Sequence, residues 1–244
     1  MGIPFISKAL QALKYPFQLM NFSVQSSKYR HDLPVPIGSI YPCLSDNTDN
    51  TGFDRHYVFH TAWAARKLVE INPKKHFDIS SSLYFVAIAS AFIPIDFYDY
   101  RPADLNLKGL STKNGDLLKL PFKDSSIESI SSMHVIEHIG LGRYGDPLDI
   151  NGDKKAIKEL IRVTKKGGSI LFVVPIGKPK VAFNAHRIYS YAQIIKMFGD
   201  SCLLREFSLI TDKEKDGGML VNPPIQILNK QKYGCGCFWF TKIK

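Results

Sequence analysis

HFDISSSLYFVAIASAFIPIDFYD, residues 76–99, is the stretch that decides the fold. A short apolar run at 76–79 leads into an apolar helical stretch at 83–92. A second apolar run at 95–98 then stops at Asp99. Strand, helix and strand so close together predict a β-α-β unit with parallel strands. Nothing between Ile79 and Ile95 is charged, yet Pro94, Ser80, Ser81, Ser82 and Ser90 interrupt that stretch and Asp78 and Asp96 flank it. It therefore reads as a buried strand-helix-strand rather than a membrane span.

The alternation continues outward. Residues 56–71 read as a helix ended by Asn72-Pro73, 127–135 as a strand and 153–163 as a helix. Lys165-Lys166-Gly167-Gly168 introduces a strand at 169–174, and a helix at 191–198 precedes β-rich runs at 203–210 and 237–243. Strands separated by helices of about ten residues predict a Rossmann-like α/β fold, a parallel, doubly wound sheet covered on both faces. Two parts are expected. Residues 1–52 form an amphipathic helix (Ile6, Ala9, Leu10, Leu13, Phe17) and a turn-rich linker, and 53–244 form the main domain.

Composition narrows the classes. With 244 residues, 45% hydrophobic and 22% charged, the chain is neither disordered, collagen-like nor a coiled coil. Its net charge of +10 invites an anionic partner, but no run of basic residues exceeds a pair, so nucleic acid is not expected. Lys8, Lys14, Lys28 and Arg30 all precede the first acid, Asp32. The basic N-terminal helix suits either capping its own domain or a weak contact with a membrane surface. Four cysteines without C-x-x-C spacing, and no secretion signal at the N-terminus, lead to an expected cytoplasmic address.

In such sheets ligands bind beyond the carboxyl ends of the strands. Asp78 follows the first strand and Asp99 the second, at a spacing that suits an acid holding a ribose diol. Two carboxylates there disfavour a polyphosphate and welcome a ligand carrying amino and sulfonium charge. A third acid stands in Gly115-Asp116-Leu117, before Leu120-Pro121-Phe122.

Gly115-Asp116, Leu120-Pro121-Phe122, the run from Ser131 through His134-Val135-Ile136-Glu137-His138 to Ile139, and the run from Glu159 to Gly168 resemble, in that order, the class I S-adenosylmethionine-dependent methyltransferases. Asn184-Ala185-His186-Arg187-Ile188-Tyr189-Ser190 and Phe238-Trp239-Phe240 agree. Within that superfamily the chain looks most like an uncharacterised methyltransferase-related family, a domain of unknown function first catalogued from nematodes and also seen among bacterial surface-polysaccharide proteins. The likeness covers about residues 53–244. It implies a mostly parallel seven-stranded sheet with an antiparallel last strand, S-adenosylmethionine as cofactor, and O-methylation of a sugar or polysaccharide precursor, the acceptor being a small molecule or glycan. By resemblance Asp78 opens the cofactor loop with Ser80 and Ser82, Asp99 holds the ribose, Asp116 and Leu117 the adenine, and Ser132 and Met133 lie beside the methionine portion.

One departure stands out. The family pattern has glycines after the first acid, where this chain has Ser80, Ser82 and Tyr84. Glycine permits positive φ and close backbone approach, so a non-catalytic binding or scaffold protein on the same fold stays open as the alternative. His138, the first imidazole beyond the fourth strand, is expected to be the general base, with Glu137 as orienting partner or alternative. Arg143 and Asp146, in a loop rich in groups that bond sugar hydroxyls, are expected on the acceptor side with His186 and Arg187. His134 to His138 also spells H-x-x-E-H, but peptidase chemistry needs a helix and this motif grows out of a strand. His56 and His60 lie four apart without a third ligand nearby, and the Asp149, Asn151, Asp153 series lacks the Gly and Glu of a calcium loop. No metal is expected.

Overall fold

The computed structural model describes residues 3–244, with side chains from Lys8 onward. The chain divides between Phe53 and Asp54 into two compact units. The first holds helix α1 (Ile3–Tyr29) and an irregular segment with one 3-10 turn (Ile37–Ser39). Leu10, Leu13, Phe17, Met20 and Val24, three or four residues apart, form an exposed apolar stripe along α1. The side chain of Ile6, expected on the same face, lies outside those described. No described helix is long and apolar enough to cross a membrane.

The second unit runs α2 (Arg55–Ile71), β1 (His76–Ile79), α3 (Leu83–Ala89), β2 (Ile95–Asp99), β3 (Leu110–Asn114), β4 (Ile127–Met133), α4 (Gly152–Val163), β5 (Thr164–Ile176), β6 (Lys180–Ala182), β7 (His186–Ile188), α5 (Tyr191–Phe198), β8 (Cys202–Ile210), β9 (Met219–Val221), α6 (Ile225–Leu228) and β10 (Gly234–Lys242). The main sheet has the order β3-β2-β1-β4-β5-β10-β8-β9, and β6 and β7 pair as a separate hairpin. Strands β1 to β5 run parallel, and β10 inserts antiparallel between β5 and β8. The sheet thus has eight strands, not the expected seven, because the short β9 adds an antiparallel edge to β8. Neither β3 (LSTKN) nor β9 (MLV) carries an apolar run long enough to be read from sequence.

Local chemistry explains the boundaries. The Asp54 side chain caps α2 by accepting from the Tyr57 N–H at 3.1 Å, and α2 ends at left-handed Asn72 before Pro73. A Ser190/Gln193 capping box starts α5. Two apolar cores sandwich the sheet. Trp63, Leu68, Phe85, Val86 and Leu171 belong to one, and Ile130, Ile157, Leu160, Phe172, Phe198 and Phe238 to the other. The strand order reverses about β1 and β4, so the loops after β1, β2, β3 and β4 open at one edge of the sheet.

Candidate active site

The loop after β1 rests on a buried polar chain. His76 is fully buried between two β4 hydroxyls, Ser129 Oγ at 2.8 Å from Nδ1 and Ser131 Oγ at 2.8 Å from Nε2. Ser131 in turn donates to Asp78 Oδ2. Because that bond uses the Ser131 proton, His76 donates from Nε2, and as the neutral imidazole that burial favours it accepts at Nδ1 from Ser129. Burial pushes its pKa down to about 3. The other Asp78 oxygen accepts from the Ser81 N–H at 3.0 Å, and Ser81 Oγ accepts from the Met133 N–H at 3.0 Å. Asp78 is wholly buried, which raises its pKa to about 6. It therefore stands beneath the loop as its foundation, not open to a ligand as a cofactor contact would be.

Ser80, in one of the expected glycine positions, adopts φ +58°. Its N–H donates to the Tyr98 oxygen at 2.8 Å and its hydroxyl lies 3.3 Å from the same atom. The backbone thus takes the left-handed turn without glycine, at a cost of roughly 1–2 kcal/mol. Ser82 is the N-cap residue of α3, but its side chain makes no cap hydrogen bond.

Beyond this loop lies an open cleft of about 360 Å³ lined by Ser81, Leu83, Phe97, Asp99, Arg101 and Ala103. Asp99, half-buried at the end of β2, accepts from the Arg101 N–H at 2.7 Å through Oδ1. Asp116 is exposed after β3 and its Oδ1 accepts from the Leu118 N–H at 2.8 Å, while Leu117 is buried. Ser132 and Met133 have fully buried side chains, so only their main chain borders the loop.

The expected acceptor side starts at the end of β4. His134, at φ +56°, leaves the strand, and a 3-10 turn (Ile136–His138) follows, so the H-x-x-E-H run forms no peptidase helix. His138 Nδ1 lies 2.6 Å from the Ala185 oxygen. Donation there leaves Nε2 as the acceptor, and burial holds the ring below the usual imidazole range. Glu137 orients a different ring. Its Oε1 is 2.8 Å from His134 Nδ1 but 3.9 Å from His138 Nε2, and burial raises its pKa to about 7.

Of the four expected acceptor residues, Arg143 and His186 lie beside this turn. Arg143 donates to the Ala185 oxygen at 3.0 Å, and His186 neighbours Ala185 with its ring 5.0 Å from that of Tyr233. The other two are structural. Arg187 is buried and donates to the Ile139 oxygen at 2.6 Å, with Nε 3.7 Å from Asp153. Asp146 folds back on its own loop, accepting from the N–H groups of Gly140 at 2.7 Å and Tyr144 at 3.2 Å. Gly140, at φ +78°, is required there because a Cβ would collide with the Asp149 carbonyl.

Sequence reading missed Arg101 and Tyr144, whose ring centre lies 5.0 Å from the Arg101 guanidinium and 5.1 Å from that of Arg143. An arginine two residues beyond Asp99, the acid expected to hold a ribose, was the available signal. It also missed Ser81, hidden among three serines. His56 meets His134 and Cys235, not His60 as a ligand partner, and no local spacing announces that grouping.

This strand order, with β10 reversed and the segments after β1 and β2 lining the cleft, is the fold of the class I S-adenosylmethionine-dependent methyltransferases. A family model described as "Caenorhabditis protein of unknown function, DUF268" matches residues 121–220. Similar solved structures include the YcgJ protein from Bacillus subtilis, at 16% identity and TM-score 0.52 over 76% of this chain and 98% of that one. The N-methyltransferase NodS from Bradyrhizobium japonicum, in complex with S-adenosyl-L-homocysteine, is 10% identical with TM-score 0.52 over 76% of this chain and 89% of its own. Geranyl diphosphate C-methyltransferase from Streptomyces coelicolor, bound to geranyl diphosphate and S-adenosyl-L-homocysteine, is 10% identical with TM-score 0.53 over 75% and 78%. No curated protein matches in sequence.

Proposed function

We propose that this chain is an S-adenosylmethionine-dependent methyltransferase that methylates a hydroxyl oxygen of a sugar or polysaccharide precursor. The observation that carries the reading is the pairing of a cleft edged by Asp99 with an imidazole just past β4 whose Nε2 is left as an acceptor. The residues present fit the cofactor. Asp99 keeps Oδ2 for a ribose diol, Asp116 is exposed where an adenine amino group can be met, and Ser82 brings a hydroxyl without a cap bond to the start of α3.

When bound, S-adenosylmethionine supplies a methyl group already activated by its sulfonium. The chain's own part is alignment and proton removal. Asp78 and Ser81 lock the first loop to β4, so that loop and His138 keep a fixed separation. His138 accepts the hydroxyl proton at Nε2 while the Ala185 carbonyl holds Nδ1–H. Arg143 and His186 face the acceptor.

The competing reading, a non-catalytic binding protein, draws on the serines of the first loop. The left-handed Ser80 backbone weakens it, because the turn survives the replacement. In the first unit, the exposed stripe of α1 together with Lys8, Lys14 and Lys28 supports weak contact with an anionic membrane surface.

Calorimetry with S-adenosylmethionine and S-adenosylhomocysteine tests the cofactor. Micromolar binding that weakens at least about tenfold in Asp99→Ala, the loss of one charge-assisted hydrogen bond, is expected; no binding at millimolar ligand rejects it. Glycan masses from cells with and without the protein test the acceptor. A loss of methyl-sized increments is expected, and an unchanged profile rejects O-methylation of glycans.

A further inference from the structure

Behind the acceptor side, three elements bring together side chains that the reaction above does not use. His56 comes from the first turn of α2, His134 from the residue after β4, and Cys235 from the second residue of β10. One ligand atom from each lies within 4.8 Å of the others. Cys235 is fully buried and in no disulfide.

His134 carries the argument. Its side chain is 5% exposed, and its Nδ1 lies 2.8 Å from the buried Glu137 carboxylate. With Glu137 as a carboxylate, Nδ1 is the donor and Nε2 a lone-pair acceptor. That Nε2 is buried and has no hydrogen-bond partner among the described residues. A carboxylate fixing one nitrogen of an imidazole while the other is left bare is the arrangement that supports metal-bound histidines. The ring is held in place by its neighbours, with His56 stacked at 5.4 Å and Tyr57 at 5.7 Å, and the backbone is anchored where the main-chain N–H of His134 donates to the Val173 oxygen at 2.9 Å.

We infer that His56, His134 and Cys235 form a binding site for a zinc-class divalent ion, with Glu137 as the carboxylate that orients His134. Two imidazoles and a thiol are unsuited to magnesium or calcium, which take oxygen ligands, and suit borderline-soft zinc(II). Zinc–nitrogen and zinc–sulfur bonds of about 2.0–2.3 Å bring ligand atoms to roughly 3.3–3.8 Å of one another. The site therefore closes by about 1 Å on binding, a movement available to the half-buried His56 at the start of its helix. His60 stays outside the set, because the ligand atoms that lie within 4.8 Å of one another are those of His56, His134 and Cys235. Three protein ligands leave the fourth position of a tetrahedral ion open. The site stands on its own residues and does not depend on the methyl-transfer reading.

Cobalt(II) titration of the full chain, stripped of metal with chelator, tests the site by absorption spectroscopy. Expected is one equivalent bound with a thiolate-to-cobalt charge-transfer band and the intense visible bands of four-coordination. Cys235→Ser should lose the charge-transfer band, and Cys43→Ser, at an exposed cysteine, should keep it. His56→Asn, at a half-buried position that leaves the core intact, should bind cobalt at least tenfold more weakly with its melting temperature retained. Glu137→Gln should weaken binding about 10–100-fold, as loss of a ligand's carboxylate partner does. Absence of stoichiometric cobalt binding overturns the inference. So does a charge-transfer band that disappears in Cys43→Ser, or binding unchanged in His56→Asn.

Discussion

The Nδ1 atom of His138 lies 2.6 Å from the main-chain oxygen of Ala185. That contact selects the tautomer of the proposed base and turns its lone pair away from the carbonyl. Since burial lowers the pKa of this ring, it is unprotonated at neutral pH. His138→Ala should reduce turnover by at least about 10²-fold, the usual lower bound for general-base help, with cofactor affinity held within about threefold. In the parent protein turnover should be flat from pH 7 upward and fall only on acidification below the ordinary imidazole range. Steady-state rates and calorimetry check both. Cofactor binding lost together with turnover would make the residue structural.

Ser80 holds a left-handed backbone that costs a serine more than a glycine. Ser80→Gly should keep cofactor binding and leave stability unchanged or raised by up to about 1 kcal/mol. Ser80→Val, β-branched at the same positive φ, should lose more than about 1 kcal/mol and weaken the cofactor. Urea melts with both variants decide this. A Ser80→Gly protein less stable than the parent would show the hydroxyl contact to Tyr98 to be the stronger effect.

Arg187 is expected to matter for folding and not for acceptor affinity. Removing it leaves Asp153, itself buried, without its cation, and frees the Ile139 carbonyl. Arg187→Ala should cost about 3–5 kcal/mol in a denaturant melt, the range for breaking a buried pair. Arg143→Ala, at an exposed position, should stay within about 0.5 kcal/mol and act on the acceptor KM. The opposite pattern would return Arg187 to the acceptor side.

His76 predicts an acid sensitivity. Its folded pKa of about 3 lies below the usual 6.5, so between those values the unfolded chain binds the extra proton. The stability it contributes is complete above pH 6.5 and is lost as pH falls toward 3. Replacement by glutamine should lower the slope of unfolding free energy against pH by about 1.4 kcal/mol per unit between pH 4 and 6. Urea melts across that range measure it, and an unchanged slope would mean that His76 is charged in the fold.

The alternating pattern from 76 to 99 was sufficient for the class of fold, because strand and helix periodicity is a property of neighbours in the chain. The acids inside β1 and at the end of β2 were legible for the same reason: each belongs to a short apolar run. His138 was singled out as the first imidazole past a strand read to residue 135, but β4 ends at Met133 and His134 comes first.

Roles settled by partners far along the chain were not legible. Arg187 reads as an acceptor group until its guanidinium is seen on a carbonyl 48 residues away. Glu137 sits beside His138 in sequence, yet the turn after β4 aims its carboxylate at His134. Asp78 reads as a ligand contact, but the parallel register that sets it opposite Ser131 closes it off from solvent. The edge strand β9, three residues long, exists only because β8 offers it unpaired backbone. His56, His134 and Cys235 share no local spacing at all. Sequence by itself determined the α/β alternation and where the cleft opens. Only tertiary structure decided which polar side chains face that cleft and which are consumed in holding it, because a buried polar group must take whatever partner the packing brings to it.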